Sequence, residues 1–557
     1  MTNSLPKTIE FLGKTLSGPF TIPSGIVATA VPIIDYFFKH SPQIGVMTTK
    51  SIGPAPRLGN REPVYSQYAP GCFVNAVGLT NPGAERSAQL FENLVVPNDR
   101  FLLTSIFGGN VDEFVAVAKL LAPFSDGLEL NLSCPHAKGY GMAMGQDPKL
   151  VAEIVAAVKA AVDVPIVPKL TPNVDNIGEI ATAAVSAGAD ALCAINTLGP
   201  GYTSAHGQPV LSNEMGGMSG KGVVPIALKC LREIASAVDV PLIGCGGISS
   251  ADDVRAYANA GARVFGVGSA LTGMTSEDIR DYFQVLADDC ANDTNQAETQ
   301  VRYNVDMSFK PVTLVDNKRV SDDIAILTFD RAIDIKAGEF IFLWVPGLGE
   351  KPFSALTDDP LSLVVINLGE FTKQLIELPP GTEAYVRGPH GQPAAPGADA
   401  HVIAVAGGTG LAAVYQLARD HTSKTAGQAD IFVGARSADR LYFLEECAQA
   451  ANLHVATDDG SLGHHGVVTA LLDEYLAGLS SEALGKLAFY NCGPEPMVHA
   501  AVAVQQKYFA PRQIFSAIDY LTKCGVGICG ACAAPDGRRL CVDGPFLDAA
   551  QSIAGVS

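Results

Sequence analysis

At 557 residues the chain exceeds what one hydrophobic core supports, and about three or four domains are expected. A formal net charge of −19 excludes nucleic acid or an anionic membrane surface as the main partner. No charge-free apolar run reaches the ~18 residues of a spanning helix without glycine or proline, and the amino terminus lacks a signal-peptide layout, so the twelve cysteines imply reduced thiols and metal ligands in a cytoplasmic protein.

Through residue 290, short apolar strands alternate with amphipathic stretches eight times. Strands are expected at 20–26, 45–50, 102–107, 127–132, 164–170, 191–197, 241–247 and 264–270, and helices at 111–122, 148–162, 176–187 and 251–260. Eight such units predict a (β/α)8 barrel, whose active site is built at the carboxyl ends of the strands. Those ends carry, in order, Ser24-Gly25, Thr49-Lys50, Ser105, Asn131, Lys169, Asn196-Thr197, Gly246-Gly247 and Gly268-Ser269. Just past Asn131 comes Cys134, in a loop holding Gly139, Gly141 and Gly145, a thiol placed to move onto a substrate. The glycine pairs after the seventh and eighth strands predict a phosphate held by backbone amides and by a helix starting near Ser250. Lys50 and Lys169 then have reason to face inward, against a flavin's N1/O2 edge and a substrate carbonyl or carboxylate.

The polar run 286–302 is expected to be a linker. Beyond it the sequence turns β-rich, with turns expected at Asp316-Asn317, 336–338 and 347–349, and with strands at 339–345 and 361–368. A strand from His401 runs into Gly407-Gly408-Thr409-Gly410 and a helix, a unit that places amides on a pyrophosphate. Further strands at 431–434, 453–456 and 488–491 complete an α/β nucleotide domain, with Cys492 near the expected nicotinamide. Finally, Cys524, Cys529, Cys532 and Cys541 are spaced C-x4-C-x2-C-x8-C; the first three match the plant-type [2Fe-2S] pattern, and the intervening glycines let backbone approach a cluster.

Both halves resemble a known pair: the catalytic subunit of class 1B, NAD-dependent dihydroorotate dehydrogenase, and its electron-transfer subunit, here fused. The barrel motifs are TKSIGPAPRLGN, NAVGLTNPG, NLSCP, KLTPNV, AINT, GGMSG, CGGI and VGSA. The resemblance implies a TIM barrel over 1–290, a linker over 291–302, an FAD-binding β-barrel over 303–397, an NAD-binding α/β domain over 398–513 and a [2Fe-2S] domain over 514–557. The second and third of these form a ferredoxin-reductase-like module. It further implies that Asn75, Val77, Gly78, Leu79, Asn131, Asn196 and Thr197 hold a pyrimidine and that Cys134 is the base. Ser24, Gly25, Lys50, Ser105, Asn131, Lys169, Gly217, Ser219, Gly246, Gly247, Gly268 and Ser269 would hold FMN, with Lys50 and Lys169 also serving catalysis. Lys351, Pro352, Phe353 and Ser354, with Gly369 and Thr372, resemble the family's FAD motifs. Gly407, Gly408, Thr409, Gly410, Asp458 and Cys492 resemble its NAD region. Three positions depart from the family's usual residues: His136 and Ser105, each where asparagine is common, and Lys351, where arginine is. The implied reaction is oxidation of dihydroorotate to orotate in pyrimidine synthesis, with electrons passing through FMN, the cluster and FAD to NAD+, in a homodimer formed through the barrels. Oxidation of dihydrouracil or dihydrothymine, or an NAD(P)H diaphorase feeding a protein carrier, are the alternatives.

Overall fold

The computed structural model describes residues 6–132, 142–425, 427–480, 484–518 and 521–549, the side chains of 142 and 143 excepted. Cys134 and His136 lie outside the described residues. The chain divides into two compact units: Met1–Val305 together with Val526–Ala533, and Asp306–Gly525 together with Ala534–Ser557.

In the first unit eight parallel strands close into a barrel: β1 (Phe20–Ile22), β2 (Ile44–Thr48), β3 (Phe101–Ile106), β4 (Gly127–Asn131), β5 (Ile166–Leu170), β6 (Leu192–Ala194), β7 (Leu242–Cys245) and β8 (Val264–Gly266). Both faces of such strands are covered, which is why they read as apolar runs without alternation. Val46, Phe101, Leu103, Val167, Cys193, Ile243 and Val264 pack together with Phe11 and Leu16 from an amino-terminal hairpin. The helices outside start where short polar side chains can cap them. Asn110, Asp147, Asn176 and Ser250 each accept a backbone N–H of the first turn, typically worth about 1 kcal/mol apiece.

The stretch expected to be a linker is folded. Helix Ser276–Asn292 runs through its first part, opened by a reciprocal cap between Thr275 and Asp278. Leu286, Asp289 and Cys290 face inward, and Asp289 accepts the Ala297 N–H at 2.7 Å. Most of the polar residues that suggested a linker follow the helix end at Asn292, where a short 3-10 turn, Ala297–Gln300, continues the fold.

In the second unit, a seven-stranded antiparallel sheet surrounds one apolar core that includes Leu314, Leu327, Leu343, Leu363 and Val386. Its edge strands, Gly349–Phe353 and Ala355–Asp358, are consecutive in the chain, joined by Ser354, and bring the sheet's two ends round toward each other. Asp316-Asn317 is not a turn: both residues lie within strand Lys310–Ser321, at a register shift between Leu314 and Asp316. Asn317 Nδ2 there donates to the carbonyls of Ile376 and Leu378, while its Oδ1 is buried without a hydrogen-bond partner among the described residues.

The second sheet of this unit has five parallel strands in the order Asn452–Thr457, Gln428–Ala435, His401–Gly407, Leu487–Cys492, Ile514–Ala517, with a two-residue strand at each edge. At one end of it the Asp430 carboxylate is bonded to His401 Nε2 and, at 2.6 Å, to His454 Nε2. Burial alone would raise this carboxyl's pKa, but the two histidine bonds outweigh it and hold the group well below the usual carboxylate range. A depressed folded-state pKa contributes stability that is present above the unfolded value near 4 and is lost as pH falls below it. Asp430→Asn is therefore expected to destabilise the chain by roughly 1–3 kcal/mol at pH 7, with the gap between mutant and wild type narrowing in denaturant melts below about pH 4. A gap that stays constant down to pH 3 would contradict this account. Among the described residues no helix is long and apolar enough to cross a membrane.

Candidate active site and redox centres

The carboxyl ends of the barrel strands converge on a cleft. Ser24 and Gly25 after β1, Lys50 after β2, Asn131 ending β4, Lys169 in β5, and Asn196 and Thr197 after β6 all line it. Gly246 and Gly247 after β7, and Gly268 and Ser269 after β8, form another part of its wall. Asn75 and the following Val77, Gly78 and Leu79 reach the cleft from a loop between β2 and β3. They are carried by an antiparallel sheet in which Cys72–Asn75 pairs with Met215–Gly220, the strand that contributes Ser219.

Two expected flavin contacts lie elsewhere. Ser105 is fully buried and does not reach the cleft; its hydroxyl is spent one layer deeper, donating to Glu129 Oε1 at 2.8 Å. Gly217 stands behind the wall, its carbonyl accepting from Asn75 Nδ2 at 3.3 Å, and a Cβ there would collide with Thr197. The helix expected to start near Ser250 does start there. Ser250 does cap helix Ala251–Asn259, but the Ser249 N–H goes to Asp253, which Lys221 neutralises at 2.7 Å. Of this turn, Gly246 and Gly247 line the cleft, whereas Ser249 and Ser250 do not. Gly247 has φ +82° and a Cβ on it would strike the Gly220 carbonyl, so only glycine fits this close approach.

The polar groups of the cleft are tied to one another. Asn131 Nδ2 donates to Ser51 Oγ at 2.9 Å, Asn131 Oδ1 accepts from Asn196 Nδ2 at 3.2 Å, and Asn196 Oδ1 accepts the Thr197 N–H at 2.8 Å. Lys169 is buried, and its Nζ lies 3.9 Å from Glu129 Oε2. Burial opposes its charge, but Glu129 together with smaller contributions from Cys193 and Cys245 outweighs it and holds the Lys169 pKa above the ordinary lysine value. Sequence reading missed Ser51, Glu129 and the apolar walls supplied by Tyr65, Met218 and Cys245. Glu129 was visible as the one charge inside an apolar strand, GLELN.

Ile528 and Cys529 also line the cleft. They belong to Val526–Ala533, which folds with the barrel: the Val27 N–H donates to the Ile528 carbonyl at 2.7 Å, and Thr29 Oγ1 donates to that of Cys529 at 3.1 Å. Cys529 and Cys532 are buried in this unit, Cys524 and Cys541 in the other. Among the described residues no three Cys, His, Asp or Glu side chains gather as a single ion requires. Cys524, Cys529 and Cys532 keep the plant-type [2Fe-2S] spacing. Gly525 and Gly530 have φ of +78° and +64°, and a Cβ on Gly530 would collide with Thr29.

In the second unit Lys351, Pro352 and Phe353 lie on the edge strand Gly349–Phe353, with Ser354 just after it. Gly369 precedes a short helix whose Thr372 Oγ1 accepts the Leu368 and Gly369 N–H groups, so Thr372 shapes the turn. Next to Lys351, Glu350 is fully buried and takes Arg387 in a two-pronged pair of 2.6 and 2.8 Å. The same guanidinium donates to the Cys524 carbonyl at 2.9 Å and lies 4.0 Å from the Phe342 ring centre. Gly407 ends its strand, Gly408 has φ +55°, and Gly410 opens helix Gly410–Lys424, where a Cβ would collide with the Cys492 carbonyl. Thr409 makes no side-chain cap there. Cys492 ends the neighbouring strand, and Asp458 follows strand Asn452–Thr457 at the same carboxyl edge of the sheet.

A closed (β/α)8 barrel with paired lysines, asparagines and glycine turns at its mouth, continued by a nucleotide-type sheet and four buried cysteines, defines a flavin-type oxidoreductase. Residues 7–282 match the dihydroorotate dehydrogenase family, residues 404–503 the oxidoreductase NAD-binding domain, and residues 521–552 the iron-sulfur cluster binding domain of dihydroorotate dehydrogenase B. The catalytic subunit of dihydroorotate dehydrogenase B (NAD(+)) from Pyrococcus horikoshii is 42% identical over 264 residues, covering 47% of this chain and 86% of that one. The corresponding subunit from Methanosarcina mazei is 43% identical over 261 residues, covering 46% and 82%. A solved dihydroorotate dehydrogenase from Eimeria tenella, in complex with ferulenol, is 20% identical at a TM-score of 0.41, over 47% of this chain and 79% of that one. The chain belongs to the dihydroorotate dehydrogenase family, with the NAD-binding and iron-sulfur domains of the B type joined to it in one polypeptide.

Proposed function

We propose that this chain is a dihydroorotate dehydrogenase that oxidises dihydroorotate to orotate in the cytoplasm and reduces NAD+, uniting in one polypeptide the oxidation and the electron delivery. The observation that carries the reading is the single cleft that gathers Lys50, Asn75, Asn131, Lys169, Asn196 and Thr197 and has Cys529 in its wall.

Asn75, Asn131 and Asn196 present side-chain amides, each able to donate and accept, and so suit the alternating N–H and C=O edge of a pyrimidine. The bond between Asn131 and Asn196, and that of Asn75 to the Gly217 carbonyl, fix which amide face is presented before substrate arrives, so little ordering is left to binding. Lys50 supplies a fixed positive charge for the substrate carboxylate and for the charge that develops on the ring as a proton leaves C5. Cys134, as its thiolate, is the group proposed to remove this proton. Lys169, Gly246, Gly247, Gly268 and Ser269 would hold FMN, Lys351–Ser354 with Gly369 FAD, and Cys524, Cys529, Cys532 and Cys541 the cluster. When bound, these groups supply hydride acceptance, one-electron transfer and re-pairing of electrons for NAD+, respectively FMN, [2Fe-2S] and FAD. Gly407–Gly410, Asp458 and Cys492 would receive NAD+ at the carboxyl edge of the parallel sheet, where such sheets bind nucleotides. Barrel-to-barrel homodimerisation completes the proposal.

The test is anaerobic NAD+ reduction by the purified chain with dihydroorotate or dihydrouracil as donor. Turnover with dihydroorotate and none with dihydrouracil is expected. The reverse would move the role to pyrimidine breakdown and make His136 the residue to examine, whereas silence with both, alongside NADH-driven dye reduction, would leave a diaphorase.

A further inference from the structure

A directed chain of hydroxyls runs inward from the cleft wall. Ser24 Oγ lies 3.0 Å from Ser51 Oγ, Ser51 Oγ lies 2.9 Å from Ser105 Oγ, and Ser105 Oγ donates to Glu129 Oε1 at 2.8 Å. An ionised carboxylate only accepts, so the proton order follows: Ser105 gives its proton to Glu129, Ser51 gives its own to Ser105, and Ser24 gives its own to Ser51. Ser51's remaining acceptor site takes Asn131 Nδ2. Through Asn131 the same chain reaches Asn196, so Glu129 sets the orientation of groups on both sides of the cleft floor.

The other oxygen of Glu129 faces Lys169 at 3.9 Å, with both side chains buried. That distance is beyond a hydrogen bond, so the pair interacts as charges. The other titratable groups packed around them are Cys193 of β6 and Cys245 of β7. Among these groups Lys169 is the cation and Glu129 is the matching anion. A buried carboxylate is costly and contributes little to stability over an apolar replacement of the whole pair, which leaves its electrostatic role to be explained. Lys169 lines the cleft and Glu129 does not. A lone buried ammonium would strongly favour added negative charge on a flavin beside it and so retain electrons that must move on. Glu129 offsets that pull.

We propose that Glu129 is a positioning residue that orders Ser24, Ser51 and Ser105 and balances Lys169, keeping the electron affinity of the bound flavin low enough for onward transfer. This rests on the flavin assignment of the cleft. The test is a potentiometric titration of FMN in the full-length chain. Glu129→Gln is expected to raise the midpoint, so that the reduced-to-oxidised ratio at the wild-type midpoint rises from one to roughly ten, while KM for dihydroorotate changes less than about twofold. The variant Glu129→Asp keeps the negative charge and is expected to titrate within about twofold of wild type. An unmoved midpoint in the single variant with a lower melting temperature would make Glu129 a purely structural residue and overturn the proposal. Should Glu129→Gln fail to fold, a Glu129→Asp variant whose ratio rises tenfold or more although the charge is kept overturns it, because charge balance would then not set the potential. Absence of FMN from wild-type protein would instead overturn the flavin assignment itself.

Discussion

Cys134→Ala is expected to lower dihydroorotate-driven NAD+ reduction by about 10²–10⁴-fold, the range typical for loss of a general base, while NADH-driven dye reduction stays near wild type. The argument rests on division of labour. Proton removal from C5 needs a base at the substrate, and the cleft offers Lys50 and Lys169 as cations, with Glu129 held one layer behind the wall by Ser105 and Lys169. No carboxylate lines the cleft among the described residues. The groups expected to bind FAD and NAD+ lie in the other unit and do not depend on Cys134. Substrate-dependent proton exchange at C5, followed by NMR in deuterated buffer, should fall with the oxidation rate. A mutant that keeps more than a tenth of wild-type oxidation would show that another group takes the proton.

Lys169→Met is expected to be the most damaging single change in the barrel. It leaves Glu129 as an uncompensated buried charge, at a cost of about 3–5 kcal/mol, and removes the cation that Glu129 was offsetting. Both a lower thermal midpoint for the chain and loss of FMN on gel filtration should follow. Adding Glu129→Leu is expected to recover most of the stability without restoring the flavin, since a matched apolar pair can replace a buried ion pair. If the single variant melts with wild type, the ion pair is not carrying the energy assigned to it.

The barrel was legible because each of its strands is a short apolar run ended by residues that apolar packing would never select: Lys50, Asn131, Lys169, Asn196. The expected strands overshot for the same reason. The first was read as 20–26 and hydrogen bonds end at Ile22, because apolar loop residues that line a cleft look like strand continuation. Ser105 was misplaced by one layer, since a strand-end hydroxyl has no mark telling whether it faces the cleft or a buried carboxylate. Glu129 stood in plain view, but a charge inside an apolar strand acquires meaning only with its partner, which lies on the next strand. The folded segment at 286–302 could have been found from the Thr275–Asp278 cap and the inward spacing of Leu286 and Cys290. The return of Val526–Ala533 to the barrel had no local signal at all, since it depends on contacts across some 500 residues of sequence, such as Thr29 with Cys529.

That return has a consequence for how the two halves can be separated. The polypeptide passes between its units after Val305, after Gly525 and after Ala533. A single protease nick after Val305 therefore frees neither half cleanly, because the amino-terminal fragment would lose the piece that pairs with Val27 and Gly273. Where the catalytic subunit is a separate chain, a partner must be recruited from solution at whatever concentration prevails. Tethering replaces that bimolecular search with an effective concentration in the millimolar range, so dilution, which dissociates a two-chain enzyme, should leave the specific activity of this one unchanged.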